Sequence, residues 1–234
     1  MRIAVVGTGV AGMVAAYRLA REHELTVFEA NDCVGGHAHT VDVAHADGVT
    51  AVDTGFIVFN HWTYPRFIAL LEELGVAWRP SNMSFSLRSE LTGLEYNGTS
   101  LNALFAQRRN LLRPSFLRML ADILRFNRRA TSEVAGIDER LTLGEYLEGG
   151  RYGRGFFEHY LVPMGAAIWS ARPQDLIEFP ARFFIEFFHK HGFFSLDDRP
   201  VWQTVVGGSR AYVERLTAPY RARIRLRTPV RSIR

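Results

Sequence analysis

Three glycines near the N-terminus, Gly7, Gly9 and Gly12, constrain the fold of this chain more than any other feature of its sequence. They follow an apolar run at residues 3–6 that predicts a β-strand, and they precede an apolar stretch with helical spacing. In this order the first glycine permits a tight turn, the second lets the backbone approach a pyrophosphate, and the third lets the helix pack closely on the strand. The pattern therefore predicts a βαβ unit that holds a dinucleotide at a helix N-terminus; the alternative is an ordinary βαβ unit with a glycine-rich turn.

An acidic residue and a second glycine pair indicate which dinucleotide this is. Glu29 ends a second predicted strand, residues 25–28, where a carboxylate can accept hydrogen bonds from both hydroxyls of an adenosine ribose. Gly35 and Gly36 follow and provide a second close approach of the backbone, which a longer and bulkier dinucleotide requires. FAD is therefore favoured over NAD, and an NAD-dependent dehydrogenase remains the alternative.

From this point the sequence resembles the flavin-containing amine oxidoreductase superfamily, which includes monoamine oxidases, protoporphyrinogen oxidases and phytoene desaturases. In that superfamily the ribose-binding acid is followed by Gly-Gly, usually Arg, then Thr or Ser, and later by an acid-x-Gly motif. The matching residues here are Gly35, Gly36, His37, Thr40 and Asp53-Thr54-Gly55. Because His37 replaces the usual Arg, the resemblance does not extend to a charge-based contact to the pyrophosphate at this position.

The resemblance also implies an adenine contact near the end of the chain. A Pro-Val pair supplies backbone groups to the adenine in the superfamily, and Pro229-Val230 matches it here. The complete predicted cofactor-binding set is Gly7, Gly9, Val10, Ala11, Gly12, Glu29, Ala30, Gly35, Gly36, His37, Thr40, Thr54, Gly55, Phe56 and Val230.

The predicted fold class is α/β, with a Rossmann-like FAD-binding domain interrupted by a mainly helical α+β substrate domain. The first domain is predicted over residues 1–60 and 200–234, and the inserted domain over residues 61–199. Helical spacing covers residues 66–74, 101–147 and 152–192, and short strand signals occur at residues 84–87 and 94–96. Since the superfamily's remaining elements have no counterpart in the sequence, we expect this chain to be an N-terminal fragment.

Composition limits the function further. The chain has 234 residues, of which 47% are hydrophobic and 22% charged, as in ordinary soluble domains. One cysteine, Cys33, excludes an internal disulfide, and we interpret it as a small buried filler rather than a redox group. No apolar run reaches membrane-spanning length, which predicts a cytoplasmic location. The net charge of +4 does not indicate nucleic-acid binding, because the glycine motif already accounts for a different ligand.

A basic amphipathic helix is predicted near the middle of the chain, at residues 114–129. Its spacing places five apolar side chains on one face, with Arg118, Arg125, Arg128 and Arg129 on the flank; the apolar side chains are Phe116, Leu117, Leu120, Ile123 and Leu124. We interpret this as a helix that packs on a core and has a solvated basic side. Peripheral contact with an anionic membrane is the alternative.

The histidines do not predict a metal centre, because no HExxH helix or cysteine pair accompanies them. No catalytic residue can be named, since hydride transfer to a flavin needs little acid–base chemistry from the protein. The resemblance implies oxidation of a C–N or C–C bond in a small or lipid-like substrate, with FAD as the hydride acceptor. A truncated, non-catalytic module that binds a nucleotide or a partner is the alternative.

Overall fold

A computed structural model describes residues 1–169, 171–195 and 199–233. The chain divides into two compact units, Met1–Asn82 with Val201–Arg234 (unit 1) and Met83–Pro200 (unit 2). The elements in chain order are β1 (Arg2–Val6), α1 (Val10–Leu19), β2 (Glu24–Phe28), β3 (His39–His45), β4 (Gly48–Gly55), α2 (Pro65–Glu73), β5 (Trp78–Pro80), β6 (Ser86–Arg88), β7 (Glu95–Asn97), α3 (Leu101–Leu104), α4 (Pro114–Glu133), α5 (Leu143–Gly149), α6 (Arg154–Phe156), α7 (Val162–Trp169), α8 (Pro173–Ile177), α9 (Ala181–Lys190), β8 (Gln203–Val205), α10 (Arg210–Thr217) and β9 (Ile224–Arg225).

Unit 1 is built around a parallel sheet with the strand order β1-β2-β9. The register pairs Arg2 with Glu24 and Val27 with Ile224. The prediction of an α/β chain with a parallel sheet is therefore confirmed. The last strand, β9, has only two residues, and Arg227, two positions beyond its end, adopts a left-handed backbone conformation with φ of 52°.

The core of unit 1 joins sequence segments that lie far apart. Met13 of α1, Leu25 of β2 and Leu71 of α2 are buried together with Tyr212 and Leu216 of α10. Burial of α2 in this core explains why unit 1 continues to Asn82, whereas the sequence-based boundary was residue 60.

Two antiparallel pairs complete unit 1. The β3–β4 hairpin pairs His39 with Gly55 and His45 with Gly48, and it contains an irregularity between His39 and Thr40. Strand β5 pairs with β8, so that residues 78–80 contact residues 203–205. Both pairs connect the N-terminal segment of unit 1 with its C-terminal segment. The hairpin does so through a hydrogen bond from the Ser209 amide to Asp53, and β5 does so by pairing with β8.

Unit 2 is mainly helical, as the sequence predicted, and it has an aromatic core. Phe126, Phe156, Phe184 and Phe188 are buried, and the rings of Phe184 and Phe188 stack with centroids 4.3 Å apart. The β6–β7 strand pair lies near the N-terminal end of the unit 2 sequence. The small and apolar run at residues 164–170 falls in α7 except for Ser170, which lies outside the described residues.

Helix α4 corrects one prediction about which of its side chains are buried. Phe116, Met119 and Phe126 face the core, but Leu117 and Leu124, predicted on the same apolar face, are exposed. The inward face follows the spacing 116, 119, 126 and 130, so the apolar stripe of the sequence is wider than the face that packs. None of the helices within residues 1–169, 171–195 and 199–233 combines the length and apolar composition that a membrane span needs.

Candidate functional site

The N-terminus of α1 forms an open, positively polarised end of a helix. Gly9 precedes the helix in an extended conformation, no side chain caps it, and no acidic residue lies in the first turn. A Cβ atom added at Gly9 would meet no atom within 4 Å, and Val10 and Ala11 in the next positions are exposed. The backbone N–H groups here therefore lie beside open space, where an anion such as a phosphate group can bind.

Gly7 and Gly12 shape the turn that presents this helix end. A Cβ atom on Gly12 would lie 2.1 Å from the carbonyl oxygen of Gly7, a distance that no real side chain tolerates. Gly7 itself has φ of +90°, which favours glycine. Gly7 thus has the conformation of a tight turn and Gly12 permits close packing of the helix on it, while the space beside Gly9, like that beside Gly7, is open.

The second glycine pair lies directly on the first glycine loop. A Cβ atom on Gly36 would come within 2.8 Å of the Gly9 Cα atom, and Gly36 adopts a left-handed conformation with φ of +61°. The Gly35 amide donates a hydrogen bond to the carbonyl oxygen of Thr8 over 3.2 Å. Two segments that are more than twenty residues apart in the sequence therefore form one small-residue cradle.

Glu29 links the end of β2 to this cradle. Its side chain is nearly buried, with 5% of the residue exposed, and it accepts hydrogen bonds from the Thr8 amide (2.8 Å) and the Asn31 amide (2.9 Å). The Thr8 hydroxyl donates to the same carboxylate. Desolvation alone would raise the pKa of Glu29, but the hydrogen bonds from Asn31 and Thr8 together hold that pKa below its ordinary value. An ionised carboxylate has about four acceptor positions, and three donors are in place, which leaves room for a ribose hydroxyl.

Ala30 and Val230 lie on neighbouring segments beside this carboxylate. The Thr228 amide donates to the carbonyl oxygen of Glu29 (2.8 Å), and the Arg227 amide donates to that of Asn31 (2.9 Å). These bonds continue the β2–β9 pairing beyond the strand ends and bring the Pro229-Val230 segment next to the predicted ribose acid. Ala30 and Val230 are both exposed, so both are accessible to a ligand.

The remaining predicted residues lie on the β3–β4 hairpin and the segments on either side of it. The Thr40 hydroxyl donates to Asp53 Oδ1 (2.6 Å) and accepts from the Arg210 amide (2.9 Å). Its side chain is therefore used within the protein to hold α10. Thr54 Oγ1 lies 2.7 Å from Nδ1 of the His39 ring, and both residues are exposed.

Gly55, His37 and Phe56 mark the point where the hairpin meets the second glycine pair. A Cβ atom on Gly55 would lie 2.1 Å from the carbonyl oxygen of His37, whereas the His37 residue is largely exposed. Phe56 has a left-handed backbone with φ of 52°, and its ring contacts those of Tyr64 and Phe67 at centroid distances of 5.7 and 5.1 Å. Gly55 therefore permits close backbone packing, and the Phe56 ring forms part of an aromatic cluster.

Thr8 and Ser209 are supporting residues that were missing from the predicted site, and Asp53 was named only as the acid of the acid-x-Gly motif. Thr8 holds Glu29, as described above, and the Asp53 carboxylate accepts from the Ser209 amide at 2.8 and 3.0 Å. The sequence signal for Asp53 was that motif, Asp53-Thr54-Gly55. The partner of this acid lies 156 positions away, and local patterns do not specify such a pairing.

Cys33 is exposed, which corrects its interpretation as a buried filler. It lies in the turn that follows β2, where residues 30–33 are exposed. The turn borders a cavity of 470 Å³ in unit 1 between this loop and α10, whose wall includes Asp32, Cys33, Arg210, Glu214 and Arg221. Among the described residues no group of three or more His, Cys, Asp or Glu side chains could hold a metal ion.

Comparison with known proteins places this geometry in a family context. The sequence matches the family model of flavin-containing amine oxidoreductases over residues 10–234. Comparison with curated proteins found no match.

Three solved structures illustrate the fold that this chain shares. A putrescine oxidase bound to putrescine has a TM-score of 0.65 at 20% identity, over 99% of this chain and 52% of that chain. Cyclohexylamine oxidase from Brevibacterium oxydans has a TM-score of 0.67 at 19% identity, over 97% and 51%. A CLA-producing fatty acid isomerase from P. acnes has a TM-score of 0.61 at 18% identity, over 97% and 51%. This chain spans about half the length of these structures.

Proposed function

This chain belongs to the flavin-containing amine oxidoreductase family, and on that premise we propose that it acts as an FAD-dependent oxidoreductase whose unit 1 holds the cofactor. The family match confirms the family predicted from the sequence and FAD as the predicted cofactor. The Rossmann-like binding mode and the contacts of individual residues are the proposal.

The observation that carries this proposal is the cradle formed by Gly9, Gly36 and the uncapped N-terminus of α1. Side chains are absent from both glycines at the point where the two loops meet, and the helix end faces open space. A diphosphate fits the donor set of free backbone N–H groups and the favourable dipole of a helix N-terminus. Glu29, at the end of the adjacent strand, would accept a ribose hydroxyl through its remaining acceptor position.

Residues on either side of the cradle would complete the hold on the dinucleotide. The segment that ends in Pro229-Val230 runs beside Glu29 and would place its backbone groups at the adenine. Gly36 would allow the second close approach, and His37 is exposed next to it. When bound, FAD supplies the electron sink that accepts a hydride from the substrate; the role of these protein residues is to bind and orient it.

The substrate class proposed here follows the named relatives. Two of them are oxidases of putrescine and cyclohexylamine, and a third is a fatty acid isomerase. We extend this to a C–N or C–C bond of a small or lipid-like substrate. Unit 2, with its aromatic core, is proposed as the substrate domain, because an apolar and dry environment favours hydride transfer over side reactions.

A single substitution separates cofactor binding from folding. Gly9→Val introduces a branched side chain into the open space of the cradle, and because φ at Gly9 is −63° the change requires no left-handed backbone. We expect the variant to lose less than about 1 kcal/mol of stability, the difference between glycine and valine at a helix N-cap, and to lose FAD binding.

The measurement is the visible absorption of the purified chain after incubation with FAD, together with identification of the chromophore released on denaturation. Gly136→Val is the matched control, since a Cβ atom there also meets nothing within 4 Å but lies in unit 2. A Gly9→Val protein that is folded and binds FAD as tightly as the parent chain would refute the cradle. Parent chain that binds NAD in preference to FAD would favour a nicotinamide-dependent enzyme.

A further inference from the structure

Unit 2 exposes three leucines to an unusual degree. The exposed fractions are 99% for Leu91, 77% for Leu101 and 88% for Leu112. Isolated exposed leucines are normal on protein surfaces, but a group of nearly bare leucines in adjoining segments indicates an interaction site. We refer to these three leucines as the leucine surface, together with four neighbouring arginines: Arg108, Arg109, Arg113 and Arg118.

Hydrogen bonds hold the three segments of this surface together. Arg109 donates to the carbonyl oxygen of Gly93 over 3.2 Å, which fixes the β6–β7 turn that carries the first leucine. Arg108 donates to Asn102 Oδ1 over 2.6 Å, which fixes α3 and the second leucine. Both arginines belong to the 3₁₀ segment of residues 108–112, which ends with the third leucine. The leucines therefore project from connected elements of one end of unit 2.

The surface also carries positive charge. Between Tyr96 and Ala121 the sequence contains four arginines and no aspartate or glutamate. These arginines, Arg108, Arg109, Arg113 and Arg118, form no ion pair with the described residues. Glu90 beside the first leucine offsets one of these charges and leaves the surface basic. Arg108 and Arg109 use part of their guanidinium groups in the hydrogen bonds described above, whereas the guanidinium groups of Arg113 and Arg118 remain available for external anions.

Helix α4 extends the same pattern away from this end. Leu117 and Leu124 are exposed at a spacing of seven residues, so they lie on one solvent-facing stripe. Arg128 follows at the next turn, and it shares a shallow depression with Leu124. A partly exposed apolar stripe with Arg128 therefore continues along the helix, beside Arg125 and Arg129, which pair with Asp122 and Glu133.

We propose that the leucine surface docks on an anionic phospholipid bilayer. Leucine side chains enter the boundary between headgroups and acyl chains, while the arginines contact lipid phosphates. A nucleic acid would use the arginines but leave the leucines in water. The aromatic residues of the segment, Tyr96, Phe105 and Phe116, are buried or half-buried and offer no exposed platform for base stacking.

The test is cosedimentation of the whole chain with phosphatidylcholine vesicles that contain or lack phosphatidylglycerol. We expect binding only to the anionic vesicles, and weaker binding as salt is added. Leu112→Ser is expected to lower the partition coefficient about tenfold. The double variant Arg113→Gln/Arg118→Gln is expected to lower the partition coefficient about fivefold for each arginine removed. Neither arginine makes a side-chain hydrogen bond to a described residue, so both changes should preserve the fold.

Matched controls are Val49→Ser, at a position 68% exposed in unit 1, and Arg140→Gln, which removes an arginine elsewhere in unit 2. Both controls should bind vesicles as the parent chain does.

A second measurement uses the fluorescence of Leu112→Trp after subtraction of the fluorescence of the parent chain. With anionic vesicles, the emission of the added tryptophan should shift to shorter wavelength and be quenched by brominated lipids. Absence of vesicle binding, or equal losses in the controls, would overturn the proposal. Two further results would overturn it if no vesicle binding is seen. One is binding to a polyanion that depends on the arginines, and the other is self-association of the chain that depends on the leucines.

Discussion

Glu29 illustrates how a single carboxylate can have a structural role and a ligand-binding role at the same position. Its carboxylate accepts the amides of Thr8 and Asn31 and the hydroxyl of Thr8. These donors belong to the glycine loop and to the turn after β2, so the acid orders both backbones before any ligand arrives. The same interactions keep it ionised, because each donor stabilises the charged form. A ribose would therefore meet a preoriented acceptor.

This arrangement predicts a pH-dependent contribution to stability from Glu29. Because the pKa of the folded form lies below the ordinary value of 4.5, the stabilisation is complete above that value and is lost as the pH falls through the lower folded pKa. Glu29→Gln should reduce the free energy of unfolding at pH 7 by about 1–3 kcal/mol, since one side-chain oxygen is replaced by a donor that faces N–H groups. The difference between parent and variant should shrink steadily between about pH 5 and pH 3.

Urea unfolding of both proteins across this pH range measures the difference. Glu24→Gln is the control, because Glu24 is exposed at the start of the same strand and forms no ion pair in the described part of the chain. A gap between parent and Glu29→Gln that stays constant from pH 7 to pH 3 would show that the ionised carboxylate is not what holds the loop.

At the level of residues, the sequence was informative where spacing alone determines a role. Gly7, Gly9 and Gly12 could be interpreted because a strand, a tight turn and a helix occur in fixed order over a dozen positions. Thr8 was not identified, because its role depends on the distance to a carboxylate 21 positions away. Cys33 was misjudged for a related reason, since burial depends on tertiary neighbours rather than on residue type.

At the level of elements, Asp53 at the end of β4 caps helix α10. Its carboxylate accepts the Ser209 amide at 2.8 Å and the Thr40 hydroxyl at 2.6 Å, while the Arg210 amide donates to Thr40. The first N–H groups of α10 are thus satisfied by a distant hairpin instead of by a local N-cap side chain. This contact fastens the C-terminal segment of unit 1 to its N-terminal segment.

Asp53→Ala should therefore destabilise unit 1 and loosen α10 in particular. We expect a loss of about 1–3 kcal/mol in the free energy of unfolding, because the substitution leaves buried donors unsatisfied. Limited proteolysis should cut residues 201–217 faster in the variant than in the parent chain. Asp47→Ala, at the exposed tip of the same hairpin, is the control and should behave as the parent does. Equal protection of α10 in both variants would refute the capping role.

Element types were largely predictable, whereas faces and lengths were less so. The helix at residues 66–74 was expected from its periodicity and corresponds to α2 (Pro65–Glu73), but its membership of the unit 1 core was not expected. The apolar stripe of helix α4 is wider than the face that packs on the core. Periodicity alone therefore could not show that Leu117 and Leu124 are exposed to solvent. Strand β9 ends at Arg225, and no propensity pattern predicts the left-handed backbone of Arg227 that follows it.

For the whole molecule, the division into two units means that ligand binding can be localised. Unit 1 contains all the residues proposed to bind FAD, although they come from two segments of the chain. A ligand that binds only the folded form stabilises it by mass action, so FAD at a hundred times its dissociation constant adds about 2.7 kcal/mol. The stabilisation should appear as slower hydrogen exchange at those backbone amides that exchange only when the cofactor site opens.

We therefore expect FAD to slow hydrogen exchange in residues 5–13, 27–36 and 224–230 by up to about a hundredfold. Amides in the aromatic core of unit 2, such as those of α9, serve as the internal reference. Hydrogen exchange with mass spectrometry of the chain with and without FAD tests this, and Gly9→Val supplies the matched protein in which protection should not change. Slower exchange that spares the three unit 1 segments, or that persists in Gly9→Val, would place the cofactor outside the cradle. Protection of residues 224–230 together with 27–36 would show that the distant segment beside Glu29 contributes to binding, because those residues meet only through the folded sheet.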